Sequence, residues 1–81
     1  MPQDQIFVEY ILNNLVEHPE DIQITRKVDD MGVLITVSLN KDDMGRVIGR
    51  DGQTAKAIRN ILHVMGMKNG SRVYLKITDP I

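Results

Sequence analysis

The sequence predicts an α+β fold in which the elements follow the order α-β-β-α-α-β. Hydrophobic residues recur with helical spacing over residues 5–17 and 53–65, whereas they alternate with polar residues over residues 22–39 and 72–77. The chain has 81 residues, 42% of them hydrophobic and 26% charged. That size and composition are typical of one globular domain, which we expect to span residues 1–81.

The first helix is predicted over residues 5–17, with Asp4 or a neighbouring residue as its N-cap. Pro19 disfavours helical geometry at the residue before it, so the helix should end near His18. Its hydrophobic stripe consists of Phe7, Ile11 and Leu15, with Val8, Leu12 and Val16 beside them.

A β-hairpin is predicted after this helix. The first strand covers residues 22–29, although its hydrophobic alternation is interrupted at Arg26. Residues 29–32 supply the turn, with Gly32 able to adopt a positive φ. The second strand is the clearest in the chain, because four aliphatic residues along it alternate with Leu34, Thr36 and Ser38. The four aliphatic residues are Val33, Ile35, Val37 and Leu39.

A short helix over residues 44–48 is predicted next, and Asp42 and Asp43 offer carboxylates to cap its start. Adjacent carboxylates before a helix do not converge on one point, so we expect capping rather than a metal site or an acid–base pair. Residues 49–52 then interrupt the helical pattern as a loop.

A longer helix follows over residues 53–65, and Gly66 occupies the position at which helices often end in a left-handed residue. Residues 69–70, Asn-Gly, indicate a turn. The last strand alternates over residues 72–77 and should stop at the Asp-Pro pair of residues 79–80.

Charge is distributed unevenly along the chain, although the net charge is only −1. The first 25 residues contain no Lys or Arg, whereas the segment from Lys41 to Lys76 has eight basic residues and three acidic ones. This local excess of five positive charges indicates a positive face, and an ordinary surface of mixed charge explains it equally well.

The sequence offers no set of residues that predicts a catalytic or metal-binding site. With no Cys, a thiol nucleophile, a disulfide framework and a zinc ribbon are excluded. His18 and His63 lie far apart, with no Cys or third His to complete a metal site, and Ser38 and Ser71 lack a nucleophile motif. We therefore predict no enzyme activity, no catalytic residue, no cofactor and no metal. The sequence also lacks a signal peptide pattern and a spanning hydrophobic stretch, so we expect a cytoplasmic protein.

The loop Gly49-Arg50-Asp51-Gly52 carries the most informative pattern. Two glycines let two helices meet at a tight angle and let a ligand approach the backbone closely. The free N–H groups that open the second helix favour an anion, so the loop is a candidate site for a sugar–phosphate backbone. Two glycines at this spacing, taken alone, are more often a plain structural turn. Arg50, Lys56 and Arg59 would add phosphate contacts, and Val47 and Ile48 would form an apolar wall for unstacked bases.

The surrounding segment, Gly-Arg-Val-Ile-Gly-Arg-Asp-Gly-Gln-Thr-Ala-Lys-Ala-Ile-Arg over residues 45–59, resembles the KH signature. It is similar in particular to the small bacterial single-KH proteins of the KhpA family. The resemblance implies a type II KH domain with a three-stranded mixed sheet packed on three helices. It also implies a groove for about four nucleotides of single-stranded RNA, whose backbone the Gly-x-x-Gly loop clamps.

The resemblance extends to individual positions and to cellular role. It implies that Ile58 supports the groove from the second helix of the motif. Asp51 should weaken phosphate binding without abolishing it, because its charge is negative. The family likeness further implies a role such as RNA chaperone or post-transcriptional regulator.

The helix over residues 53–65 also predicts a partner surface. Ile58, Ile61, Leu62 and Met65 follow the spacing of a core stripe. Ala57, Ile61 and Val64 widen the hydrophobic arc, and these three either contact a partner or cover the rest of a small core. The resemblance implies self-association, or pairing with a larger KH-containing RNA-binding protein. The alternative function is therefore that of a protein-interaction subunit.

Overall fold

The computed structural model describes residues 2–78 and confirms the predicted order of elements. The helices are α1 (Gln3–Leu15), α2 (Met44–Ile48) and α3 (Gln53–Lys68), and the strands are β1 (Gln23–Asp29), β2 (Gly32–Ser38) and β3 (Val73–Thr78). Single turns of 3₁₀ helix lie at Pro19–Asp21, Lys41–Asp43 and Arg50–Gly52.

The three strands form one mixed sheet in the order β1-β2-β3. β1 is antiparallel to β2, as a two-residue hairpin loop requires, and Ile24 lies opposite Val37. β3 is parallel to β2, with Val73 opposite Val33, because α2 and α3 carry the chain back along the sheet. The sheet therefore has β2 at its centre and β1 and β3 at its edges.

The hydrophobic core lies between one face of the sheet and the three helices. Alternation along β2 and β3 turns every second side chain inward, and Ile35 and Val37 on the central strand are fully buried. The other buried hydrophobic residues are Val8, Leu12, Val33, Leu39, Val47, Ala55, Ile58, Leu62, Val73 and Leu75. Among the helices of residues 2–78, none combines the length and hydrophobicity needed to cross a membrane.

The first helix begins and ends earlier than predicted, and Asp4 is not its cap. The N-cap position belongs to Pro2, while the Asp4 carboxylate binds the Arg26 guanidinium with Nε–Oδ1 and Nη2–Oδ2 distances of 3.0 and 3.3 Å. Arg26 pairs with Ile35 across the hairpin and so lies on the inner face of β1. The interruption in the hydrophobic alternation is therefore an inward-facing ion pair between β1 and α1.

Asp43 occupies the N-cap position of α2, but its carboxylate forms no cap hydrogen bond there, so the predicted capping is wrong. Its buried carboxylate instead accepts hydrogen bonds from the backbone N–H groups of Glu17 at 2.9 Å and His18 at 3.0 Å. The bond from Glu17, supported by that from His18, holds the pKa of the Asp43 carboxyl below its ordinary value despite burial. Asn40 caps the 3₁₀ turn Lys41–Asp43 that precedes α2, because its Oδ1 accepts from the Asp42 N–H at 2.8 Å.

Replacing Asp43 with Asn should destabilise the protein more at pH 7 than at pH 3. Because the pKa is lowered in the folded state, the carboxylate stabilises the fold fully above about pH 3.9 and loses this contribution as the pH falls through the lowered pKa. Urea unfolding of wild type and Asp43→Asn at both pH values measures the difference. Asp42→Asn, at the exposed neighbouring carboxylate, is the matched control. Equal effects of the two substitutions, or a difference independent of pH, would contradict this role.

The end of α3 also differs from the prediction, since the helix continues past Gly66 to Lys68. Gly66 is buried, and a Cβ on it would lie 2.5 Å from the Ser71 carbonyl oxygen and 3.0 Å from Val73 Cγ2. Gly66 therefore permits close packing of α3 against the start of β3 rather than ending the helix. The turn at residues 69–70 is confirmed, whereas the predicted stop at residues 79–80 lies outside the described part of the chain.

Candidate functional site

The loop between α2 and α3 turns sharply through positive backbone angles. Gly49 has φ +80°, Asp51 has φ +57° and Gly52 has φ +75°. Asp is among the few residues other than Gly that adopt this left-handed region readily, so Asp51 fits its backbone position. The Gly52 N–H donates to the Gly49 carbonyl oxygen at 3.2 Å and closes the turn.

The two glycines of the loop have different surroundings. A Cβ on Gly49 would lie only 2.7 Å from Thr54 Cβ and 2.9 Å from Thr54 N, so this glycine lets the first turn of α3 pack against the end of α2. A Cβ on Gly52 would meet no atom within 4 Å in residues 2–78. Gly49 is therefore required by the protein's own packing, while Gly52 leaves the backbone open to an external group.

The start of α3 has no side-chain cap. Gly52 occupies the N-cap position, and no side chain in the described chain accepts a cap hydrogen bond from the first turn. The N–H groups of Gly52 and Gln53 donate to the Gly49 and Arg50 carbonyl oxygens of the preceding 3₁₀ turn, and no side chain covers this end of the 16-residue helix. The helix dipole places partial positive charge there. The geometry favours an anion at Gly52.

The predicted cations differ in whether they already bind another group of the protein. Arg50 and Lys56 are exposed, and neither forms an ion pair within residues 2–78. Arg59 is exposed, but its Nε donates to the Leu75 carbonyl oxygen at 3.3 Å, which holds it along the edge of β3. Arg46 Nη2 lies 2.6 Å from Glu17 Oε1, so this nearby cation is already paired.

The predicted apolar wall is half wrong. Val47 is 0% exposed and belongs to the core, so its side chain cannot contact a base in this structure. Ile48 is partly exposed at the end of α2 beside the loop. Successive residues of a helix point about 100° apart, so Val47 and Ile48 cannot both point in the same direction. Ile58 is buried and belongs to the hydrophobic core.

The predicted partner surface on α3 is exposed. Ile61 is 47% exposed, Val64 is 66% exposed, and Ala57 is also on the surface. The alternative that these residues cover the core is therefore wrong, as is the placement of Ile61 in the core stripe. We call Ala57, Ile61 and Val64 the α3 strip. Met67, which the sequence pattern did not single out, is 77% exposed near the same end of the helix.

One group of possible metal ligands occurs in the described chain. His18, Glu20 and Asp21 place one donor atom each within 4.8 Å of one another. His18 Nδ1 lies 3.6 Å from Glu20 Oε1, and Asp21 Oδ2 accepts from Asn40 Nδ2 at 2.9 Å. The group is an exposed acidic turn whose side chains pair with each other and with Asn40, and it lies outside the loop site.

Comparison with known families identifies the domain. The sequence profile described as the KhpA/KhpB KH domain matches residues 5–77. This chain belongs to the KhpA/KhpB KH-domain family. The predicted resemblance and the type II KH fold are thereby confirmed.

Relatives within the KhpA/KhpB family cover most of the chain. The RNA-binding protein KhpA of Listeria monocytogenes is 44% identical over 69 residues, covering 85% of this chain and 91% of that protein. The KhpA of Halalkalibacterium halodurans is 42% identical over 72 residues, covering 89% and 95%. The KhpA of Bacillus subtilis is 38% identical over 72 residues, covering 89% of each chain. The similarity therefore spans the whole α-β-β-α-α-β arrangement rather than the loop motif alone.

Proposed function

We propose that this KhpA/KhpB-family domain binds single-stranded RNA, without catalysis, by clamping the sugar–phosphate backbone with the Gly49–Gly52 loop. The observation that carries the proposal is the open backbone at Gly52, at the uncapped start of α3. The printed name of the relatives, RNA-binding protein KhpA, supports the same ligand. We further propose a cytoplasmic role as an RNA chaperone or post-transcriptional regulator.

Phosphate binding at the loop combines three contributions. A phosphate lies at the N-terminus of α3, where the helix dipole favours negative charge. Gly52 lets the phosphate approach, since no side chain occupies that side. Arg50 and Lys56 add charge-assisted contacts, because neither is paired within residues 2–78. Arg59 contributes less, because it already donates to Leu75.

Bases would lie between the loop and the free edge of β3. Ile48, which is partly exposed, offers an apolar contact at the end of α2. On the other side, the hydrogen bond from Arg59 to the Leu75 carbonyl oxygen shows that α3 lies within side-chain reach of the β3 backbone. A KH groove of this kind holds about four nucleotides. Backbone contacts carry little sequence information, so we expect only slight preference among RNA sequences.

Asp51→Asn tests the clamp by removing the acid within it. Asn tolerates the same left-handed backbone, so the loop geometry should persist while repulsion of the phosphate disappears. We expect affinity for a short single-stranded RNA to rise by up to about five-fold, the scale of one exposed charge interaction. Fluorescence anisotropy across a salt series measures this, and the gain should shrink as salt rises. Asp30→Asn, at the hairpin tip, is the control. An unchanged affinity for Asp51→Asn, or no saturable binding by wild type, would contradict the proposal.

A second proposed function rests on the α3 strip. Nearly half of Ile61 and two thirds of Val64 are exposed, so these side chains are available to a partner. Exposed apolar clusters on small proteins commonly mark protein interfaces. We propose that the strip pairs with a second copy of this chain or with a larger KH-containing RNA-binding protein. The two functions are compatible, because a dimer presents two RNA sites that act together.

A further inference from the structure

The face of the sheet turned away from the helices has two lysines in its middle part and one acidic residue at its hairpin end. Its charged residues on the strands are Lys27, Lys76 and Asp29, and Asp29 Oδ1 accepts from the Met31 N–H at 2.8 Å in the hairpin turn. The remaining outward side chains of the three strands are uncharged, namely Gln23, Thr25, Leu34, Thr36, Ser38, Tyr74 and Thr78. The two lysines therefore dominate this face, although the whole chain has a net charge of −1.

Two apolar side chains lie between these lysines. Leu34 is 36% exposed and Tyr74 is 39% exposed, and the two are neighbours across β2 and β3. Leu34 has Tyr74 on one side and Lys27 of β1 directly opposite it on the other side. Lys76 follows Tyr74 by two residues, about 7 Å along β3. An accessible ring flanked by cations is the combination on which single-stranded nucleic acids stack and bind.

The flank of α3 connects this face with the loop site. Lys56, Arg59 and His63 are spaced three and four residues apart, so they share one side of the helix. Arg59 reaches the backbone of β3 at Leu75, and the His63 ring meets the Tyr74 ring edge-on with centroids 6.3 Å apart. A chain that leaves the loop along this flank arrives at Tyr74 on the sheet.

We infer that single-stranded RNA longer than the loop groove continues around the edge of β3 onto the outer face of the sheet. There Tyr74 stacks on a base, and Lys27 and Lys76 contact phosphates. The inference rests on the proposed function of the loop and adds a second contact surface to it. Charge complementarity identifies the occupant, because a polyanion with flat bases matches both the lysines and the ring.

The test compares oligouridines of about four nucleotides, the length of a KH groove, and about twelve nucleotides. A variant with Lys27→Gln and Lys76→Gln should bind the longer RNA roughly ten-fold more weakly, with a salt dependence shallower by about 1.4 in log–log slope. Tyr74→Leu should weaken the longer RNA about ten-fold. Both should bind the shorter RNA like wild type. The control carries Lys41→Gln and Lys68→Gln, which make the same change in net charge, and thermal unfolding verifies that every variant folds.

Each other outcome overturns the inference and points to a different explanation. Equal weakening by both double variants would mean that net charge, not this face, matters. Unchanged binding of the longer RNA by the sheet variants would leave the loop clamp standing and remove the sheet contact. Altered self-association of the sheet variants, with RNA binding intact, would make the face a protein interface. Failure of wild type to bind the shorter RNA would count against the loop clamp itself, and with it against a path that starts there.

Discussion

Arg50→Asp is expected to weaken binding of short single-stranded RNA roughly ten- to a hundred-fold, the range of one hydrogen bond to a charged group. Arg50 is exposed at the loop and forms no ion pair within residues 2–78, so its full charge is available to a phosphate. The substitution removes that contact and places a second carboxylate beside Asp51. Fluorescence anisotropy at several salt concentrations measures the loss, which should be greatest at low salt.

The control for this substitution is Lys41→Asp, which changes net charge equally at an exposed position before α2. It should reduce affinity far less, because Lys41 lies outside the loop. Similar losses for both variants would mean that RNA responds to net charge alone. Such a result would contradict a localised clamp at Gly49–Gly52.

Ile61→Arg is expected to disrupt self-association, raising the dissociation constant of a dimer by at least about a hundred-fold. Burying an Ile side chain contributes roughly 1.5–3 kcal/mol, and a charge left unpaired in an interface adds a further penalty. In a two-fold symmetric dimer each substitution acts twice. Folding should be unaffected, because Ile61 is 47% exposed in the single chain. Sedimentation velocity over a range of concentrations measures the change.

Met31→Arg is the matched control, since Met31 is a highly exposed apolar residue at the hairpin tip, away from α3. It should sediment like wild type. If Ile61→Arg also sediments like wild type, the α3 strip is not a dimer interface. Binding assays with a larger KH-containing protein would then decide whether the strip has a partner at all.

The two substitutions also separate the two proposed functions. Arg50→Asp should retain self-association, and Ile61→Arg should retain binding of a short RNA, because the loop and the α3 strip occupy different parts of the domain. Loss of cellular function with the first variant alone identifies RNA binding as the main activity. Loss with the second alone identifies the interaction surface.

The sequence predicted secondary structure well where a single local feature, such as alternation or a glycine, determines the element. Alternation identified β2, because Val33, Ile35 and Val37 on this central strand all face the core. The bounds of α2 agree with the predicted residues 44–48, because Gly49 enforces the end of the helix. The predicted end of α3 is wrong, because Gly66 is there to allow close packing against residues 71 and 73 and not to end the helix. No local sequence pattern distinguishes these two roles of a glycine.

The site residues whose roles changed depend on contacts between distant segments. Asp43 binds the backbone of residues 17–18, more than 20 residues earlier, so its sequence neighbours suggested only a cap. Val47 faces the core while Ile48 is partly exposed, a distinction set by how a five-residue helix docks on the sheet. The loop itself was predictable, because two glycines, a cation and a following helix are a local pattern with a physical meaning.

The most direct test of the phosphate clamp is a nuclear magnetic resonance titration of the backbone amides with a short single-stranded RNA. We expect the largest shifts at the N–H groups of Asp51, Gly52 and Gln53, which surround the open start of α3. Arg50→Asp should remove these shifts without altering the spectrum of the sheet. Shifts confined to other surfaces, with residues 49–53 unchanged at saturation, would contradict the claim that this loop holds the RNA backbone.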